Sequence, residues 1–141
     1  FVLSDDSGIC VDALGGAPGI FSARFSGSDA TDASNREKLA RKLRALSLDS
    51  SPAHYTAAIA LKCALGEFCT HGFMHGTAIT QQRGQNGFGY DFMFIPRGFD
   101  RTIGELPAAV KFKISHRTKG LALMQILLKN LEKQIGLAKF H

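Results

Sequence analysis

Apolar and polar positions alternate along this chain in blocks that read as strand, helix, two strands and a final helix. Val2 to Ser4 look like the end of a buried strand, Ser4 to Gly8 like the polar loop leaving it, and Ile9 to Val11 like strand resumed. Leu14 to Gly19 holds three glycines and Pro18 and predicts a loop, which Ile20 to Phe25 returns to the core around Arg24. Thr31 is suited to cap a helix, with Asp32 in its first turn and Leu39, Leu43 and Leu46 recurring at i, i+4 and i+7. Arg36, Arg41, Lys42 and Arg44 then fall on the solvated side.

Ser50 to Pro52 ends that unit, and Tyr55 to Leu65 is an Ala-rich run compatible with a strand. Gly66 and Glu67 predict a tight turn, and Phe68 to Thr80 a second strand with Cys69, His71, Phe73, His75 and Thr77 on one face. Gln81 to Gly87 reads as a polar loop and Tyr90 to Ile95 as a strand stopping at Pro96. Pro107 closes whatever regular element precedes it, leaving loop up to Ser115. Ser115 predicts the start of a long helix with Leu121, Met124, Leu128, Leu131 and Ile135 as its stripe and Gly136 as its stop.

The order is that of one α/β domain covering residues 1–141. At 141 residues and 45% hydrophobic, the chain can build a core of its own. No apolar run approaches the length of a membrane span, so no membrane partner is expected. Cys10, Cys63 and Cys69 are an odd number without metal-ligand spacing, as reduced thiols of a cytoplasmic protein would be. The net charge of +5 is concentrated from Lys111 onward, where seven Lys or Arg face only Glu132. Lys129, Lys133 and Lys139 read as solvated helix face. The basic residues interleave with an apolar stripe, so nucleic acid is an unlikely partner.

Three stretches carry candidate chemistry. Asn86 to Asp91 reads Asn-Gly-Phe-Gly-Tyr-Asp, and glycines on both sides let the chain turn while Phe88 stands out as a platform. With Tyr90 and Asp91 beside it, this suits a flat polar group such as a nucleobase; a glycine-rich hairpin with a core Phe is the plainer alternative. Asp5, Asp6, Ser7 and Gly8 follow an apolar strand, where carboxylates suit Mg²⁺ or an Asx-type turn. Lys111 and, at the start of the last helix, His116 and Arg117 supply donors for anionic or hydrogen-bond-accepting groups. His71 and His75 share a strand face, but no carboxylate or cysteine pattern joins them as a metal site would require.

Taken together, Ser4 to Gly8, Val11 to Gly19, Ser22 to Arg24, Gly87 to Asp91 and Ile114 to Arg117 resemble the signature of the inosine triphosphate pyrophosphatase family, the XTP/dITP diphosphatases. The resemblance implies an elongated mixed β-sheet flanked by helices, with two lobes, an active-site cleft and a homodimer. It also implies Mg²⁺-dependent hydrolysis of ITP, dITP or XTP to the monophosphate and pyrophosphate. On the matching positions, Asp6 becomes the metal-linked carboxylate and proton acceptor, with Asp5 in support and Ser7 at the substrate. Phe88 becomes the stacking platform, Gly89, Tyr90 and Asp91 the walls of the base pocket, and Lys111, His116 and Arg117 its donors.

Family members usually begin with a strand and a loop whose Lys grips the triphosphate, then a helix whose glutamate shares the metal. Neither precedes Phe1, so the resemblance implies a domain lacking its N-terminal part, with a sheet edge or apolar face uncovered. Phe92 stands where a proline is common, and Ala108 to Val110 replace residues that are often acidic. Two other readings stay open: a purine-binding chain without catalysis, and the septum-associated nucleotide pyrophosphatases, which share the chemistry but prefer other bases.

Overall fold

A computed structural model describes residues 1–139, with side chains described as far as Gly136; the side chain of Lys139 lies outside that set. Four strands form one antiparallel sheet in chain order: β1 (Val2–Val11), β2 (Ser50–Cys63), β3 (Gly66–Ile79) and β4 (Phe94–Pro96). Helices α1 (Asp32–Ala45), α2 (Ala108–Ile114) and α3 (His116–Lys139) complete the α/β chain. Every pairing within this sheet is antiparallel.

Period-2 alternation divides the sheet into two faces. On one, Ile9, Val11, Ala53, Tyr55 and Met74 meet Leu39 and Leu43 of α1 together with Met93 and Phe94. Farther along the same face, Ile59 and Leu61 meet Met124 and Leu131 of α3. Backbone approach is closest at Gly72, where a Cβ would run into the carbonyl of His116 and the amide of Gly120. The other face carries Cys69, His71, Phe73 and His75, all exposed, as the alternation predicted.

Several boundaries differ from the sequence reading, each for a visible reason. Asp5 to Gly8 are strand rather than loop, because β2 is long enough to pair with every residue of β1 from Val2 to Val11. A polar, charged segment is tolerated there because β1 is an edge strand. Val2 and Leu3 are exposed, not buried. Ser50 to Pro52 open β2, and the hairpin turn falls at Ala64 and Leu65, so Gly66 and Glu67 already belong to β3. Of the helix stripes, Leu46 and Leu121 are exposed. Leu46 lies at the cap of α1, after which Ser47 turns left-handed and Leu48 packs instead.

The stretch expected to be strand from Tyr90 to Ile95 opens as a 3-10 turn at Asp91–Met93, leaving only Phe94–Pro96 extended. Pro107 starts α2 instead of ending a unit, and the following alanines are strong helix formers. Gly136 does not stop α3, which continues to Lys139. The caps at Thr31 and Ser115 form as read: Ser34 donates its amide to Thr31, and Thr118 donates to Ser115 Oγ at 3.1 Å.

Candidate functional site

A cleft of about 440 Å³ opens between the helix-bearing face of β1 and β2, the N-terminal turn of α1, the 87–91 loop and the junction of α2 with α3. Ser7, Phe88, Gly89, Tyr90, Asp91, Lys111, His116 and Arg117 all line it. Eight residues spread over more than a hundred positions of sequence thus converge on one cavity.

Asp91 is the hub of the loop. Its carboxylate accepts from the Phe88 amide at 3.1 Å and is paired with Lys111 Nζ at 2.5 Å, while the residue itself is only 5% exposed. Gly87 makes this possible: its φ is 92°, and a Cβ there would collide with the Asp91 carboxylate. Lys111 Nζ also lies 4.4 Å from the centre of the Phe88 ring, whose other surface is open to solvent at 61% exposure. A ring this exposed, with a cation against it, is not a core Phe.

The loop is tied to α1 on its other side. Gly89 donates its amide to Asp32 at 3.1 Å, and its carbonyl accepts from Arg36 at 2.8 Å. Arg36 also lies over Phe92 and donates to Gln82, so it is a clamp where a solvated helix charge was expected. The Tyr90 hydroxyl donates to the Ser22 carbonyl at 2.6 Å, and burial, followed by the charge of Asp32, raises its pKa. Ser22 is itself held by Asn35, whose amide donates to the carbonyls of Ser22 and Ala23. Asn35 is buried in α1 and accepts from the amide and hydroxyl of Ser26.

His116 begins α3 with its ring stacked on Tyr55 at 4.8 Å and 12°. Burial lowers its pKa to about 4, helped by Arg117, Lys111 and Lys119, so the imidazole is neutral near pH 7. Its Nδ1 is buried without a partner, as are the Ser7 and Tyr55 hydroxyls. The Tyr55 phenol is held far above its usual range, first by burial and then by the nearby Asp91 carboxylate, and its hydroxyl has no partner of hydrogen-bonding geometry among the described residues. Arg117 Nε pairs with Asp5 at 3.0 Å, both side chains roughly half exposed.

Asp6 is the one site residue that the structure keeps apart. It is exposed, pairs in register with Ala58, and belongs by alternation to the sheet face carrying His71, while Asp5 and Ser7 belong to the cleft side. Among the described residues no three His, Cys, Asp or Glu side chains are grouped closely enough to hold a metal, His71 and His75 included. Sequence reasoning missed Tyr55, which sat unmarked in an apolar run, and the bracing roles of Asn35 and Arg36, for which a helical pattern gives no signal.

The Ham1 family model matches residues 1–127. The chain belongs to the Ham1 family. It is 63% identical over 134 residues to a dITP/XTP pyrophosphatase of Campylobacter hominis, covering 93% of this chain and 65% of that protein. A dITP/XTP pyrophosphatase of Nautilia profundicola is 56% identical over 130 residues, covering 92% of this chain and 67% of that one. Among solved structures, the HAM1 protein of Coxiella burnetii superposes with a TM-score of 0.84 at 36% identity, over 91% of this chain and 66% of that one. The nucleoside-triphosphatase, dITP/XTP pyrophosphatase, of Mycobacterium abscessus gives 0.73 at 40% identity, over 86% and 63%. This Ham1 chain therefore spans about two thirds of the length of these relatives.

Proposed function

We propose that this chain carries the base-binding cleft of a Mg²⁺-dependent pyrophosphatase acting on non-standard purine nucleoside triphosphates such as ITP, dITP and XTP. The observation that supports it best is the loop in which Asp91 holds Lys111 beneath an exposed Phe88 ring. A purine stacked on the open surface of Phe88, opposite Lys111, would have the Arg117 guanidinium among the donors of the same cleft. Hypoxanthine and xanthine carry an oxygen at position 6, an acceptor for those donors, whereas adenine carries an amino group that leaves them unpaired. The Campylobacter hominis and Nautilia profundicola relatives, named as dITP/XTP pyrophosphatases, support that preference.

For hydrolysis, water attacks the α phosphorus, the bond to the bridging oxygen breaks, and pyrophosphate leaves. Asp6 is exposed and takes part in none of the ion pairs among the described residues, so it is free to hold the attacking water or take its proton. One exposed carboxylate fits Mg²⁺, which takes most of its ligands from water and phosphate oxygens. Bound there, the ion would offset the charge developing on the phosphates. No helix of the described residues is long and apolar enough to cross a membrane, which suits a cytoplasmic enzyme. Leu123 and Ile126, exposed on α3, offer apolar surface to a homodimer.

The separation of Asp6 from the cleft favours a second reading, a chain that binds purine nucleotides without hydrolysing them. Pyrophosphate release from ITP and ATP with Mg²⁺, for the chain and for Asp6→Asn, separates the two. The proposal expects ITP turnover well above ATP, and a drop of at least about 100-fold in the variant. ITP binding without pyrophosphate release establishes the second reading instead.

A further inference from the structure

Of the four buried side-chain polar atoms that lack a hydrogen-bond partner among the described residues, three belong to residues lining the cleft: Ser7 Oγ, Tyr55 Oη and His116 Nδ1. The fourth, Arg83 Nε, lies elsewhere, 3.5 Å from Glu105. An unpaired buried polar group is costly, so three at one cavity indicate partners that arrive with a ligand. Tyr55 is the most enclosed of the three, at 7% exposure. Its ring is fixed from two sides, stacked on His116 and edge-on to Phe94 at 4.8 Å. Rotation of the ring cannot carry the hydroxyl away to water.

We propose that Tyr55 is a specificity-determining residue of this cleft: its hydroxyl donates to the 6-oxygen of an oxopurine while His116 Nδ1 accepts from the neighbouring N1–H. The proposal rests on the oxopurine reading given above and adds the residue that reads the base edge. A 6-oxopurine offers an acceptor beside a donor along that edge; adenine offers a donor beside an acceptor. The two protein atoms have to be a donor and an acceptor in that order. Tyr55 retains its proton because burial and Asp91 both oppose phenolate, and His116 remains neutral, so with its proton on Nε2 the Nδ1 atom accepts. The close stack holds the two rings parallel and so fixes them relative to each other, and both residues line the cleft.

The experiment is titration calorimetry of the chain and of Tyr55→Phe with three nucleotides: inosine, adenosine and purine riboside 5′-monophosphates, the last lacking any group at position 6. The expected result is about a tenfold loss of affinity for the inosine nucleotide in the variant, with the other two unchanged. Without ligand, the variant is expected to melt at the same temperature or higher, because it removes an unpaired buried hydroxyl. A tyrosine that only packs would leave the three-nucleotide pattern alone. Equal affinity of Tyr55→Phe and the unsubstituted chain for the inosine nucleotide overturns the assignment to Tyr55 while leaving the oxopurine cleft standing. No preference for inosine over adenosine in the unsubstituted chain overturns both.

Discussion

The ion pair between Lys111 and Asp91 is the part of the cleft whose removal has the most calculable consequence. Lys111→Met keeps the length and apolar stem of the side chain but strips Asp91 of its cation, leaving a carboxylate that is 5% exposed with only the Phe88 amide as a partner. Breaking a fully buried pair from one side costs about 3–5 kcal/mol. Since the Lys111 side chain is a quarter exposed, water relieves part of that penalty, and about 2–3 kcal/mol is the expected loss. In a chain of this size that lowers the melting temperature by roughly 5–10 °C.

Asp91→Asn removes the charge from the other side while keeping an acceptor for Phe88. Urea denaturation of both single variants and the double variant gives the coupling free energy, expected at about 2 kcal/mol. The double variant should be more stable than the sum of the two losses allows. Coupling below about 0.5 kcal/mol, with Lys111→Met as stable as the unsubstituted chain, refutes the view that this pair organises the 87–91 loop.

Two further outcomes follow from the junction of α3 with the sheet. His116 has a pKa lowered from 6.5 to about 4, so between those values the unfolded chain binds a proton that the folded chain refuses. Stability is complete above about pH 6.5 and falls as pH drops toward 4, by up to about 3 kcal/mol from this residue. Denaturation at pH 7 and pH 4.5 should show a smaller acid loss in His116→Gln than in the unsubstituted chain. At Gly72 a Cβ meets only backbone of α3, which cannot swing aside, so Gly72→Ala should cost at least about 2 kcal/mol and weaken inosine monophosphate binding by displacing His116. Calorimetry and thermal melting read both effects.

How far the molecule could be read from sequence depended on what each residue's role required. Phe88, Asp91 and Lys111 were legible because a glycine-bracketed aromatic beside a carboxylate, and a lysine ahead of a helix start, announce themselves by residue type. The long strands and α1 were legible because burial imposes a period on them. Tyr55 was not, because an aromatic in an apolar strand looks the same whether its hydroxyl is satisfied or orphaned. Arg36 was hidden in the same way: its place on the polar side of α1 is correct, and only the fold brings Gly89 and Phe92 over it. Helix α2 was lost to a proline read as a stop, although the same fixed φ serves equally well to begin a helix.

The consequence of reading Asp5 to Gly8 as a loop is larger than a shifted boundary. In a loop, two adjacent carboxylates can turn to one ligand; in a strand, successive side chains point to opposite faces and the pair is divided. Asp5 falls on the cleft side, where Arg117 engages it, and Asp6 falls on the other. That division gives the carboxylates different duties. On the proposed function, Asp5 sets where Arg117 stands in the cleft, and Asp6 acts on a group that reaches the other face of β1. A base held on Phe88 lies on the cleft side of that strand, so a triphosphate reaching Asp6 must cross β1 beyond Ser7. The buried, unpaired Ser7 hydroxyl lies along that route, where a phosphate oxygen would satisfy it. On the proposed function, base recognition and phosphate chemistry fall on opposite faces of one edge strand. For that reason Asp6→Asn is expected to abolish pyrophosphate release while leaving inosine monophosphate affinity unchanged.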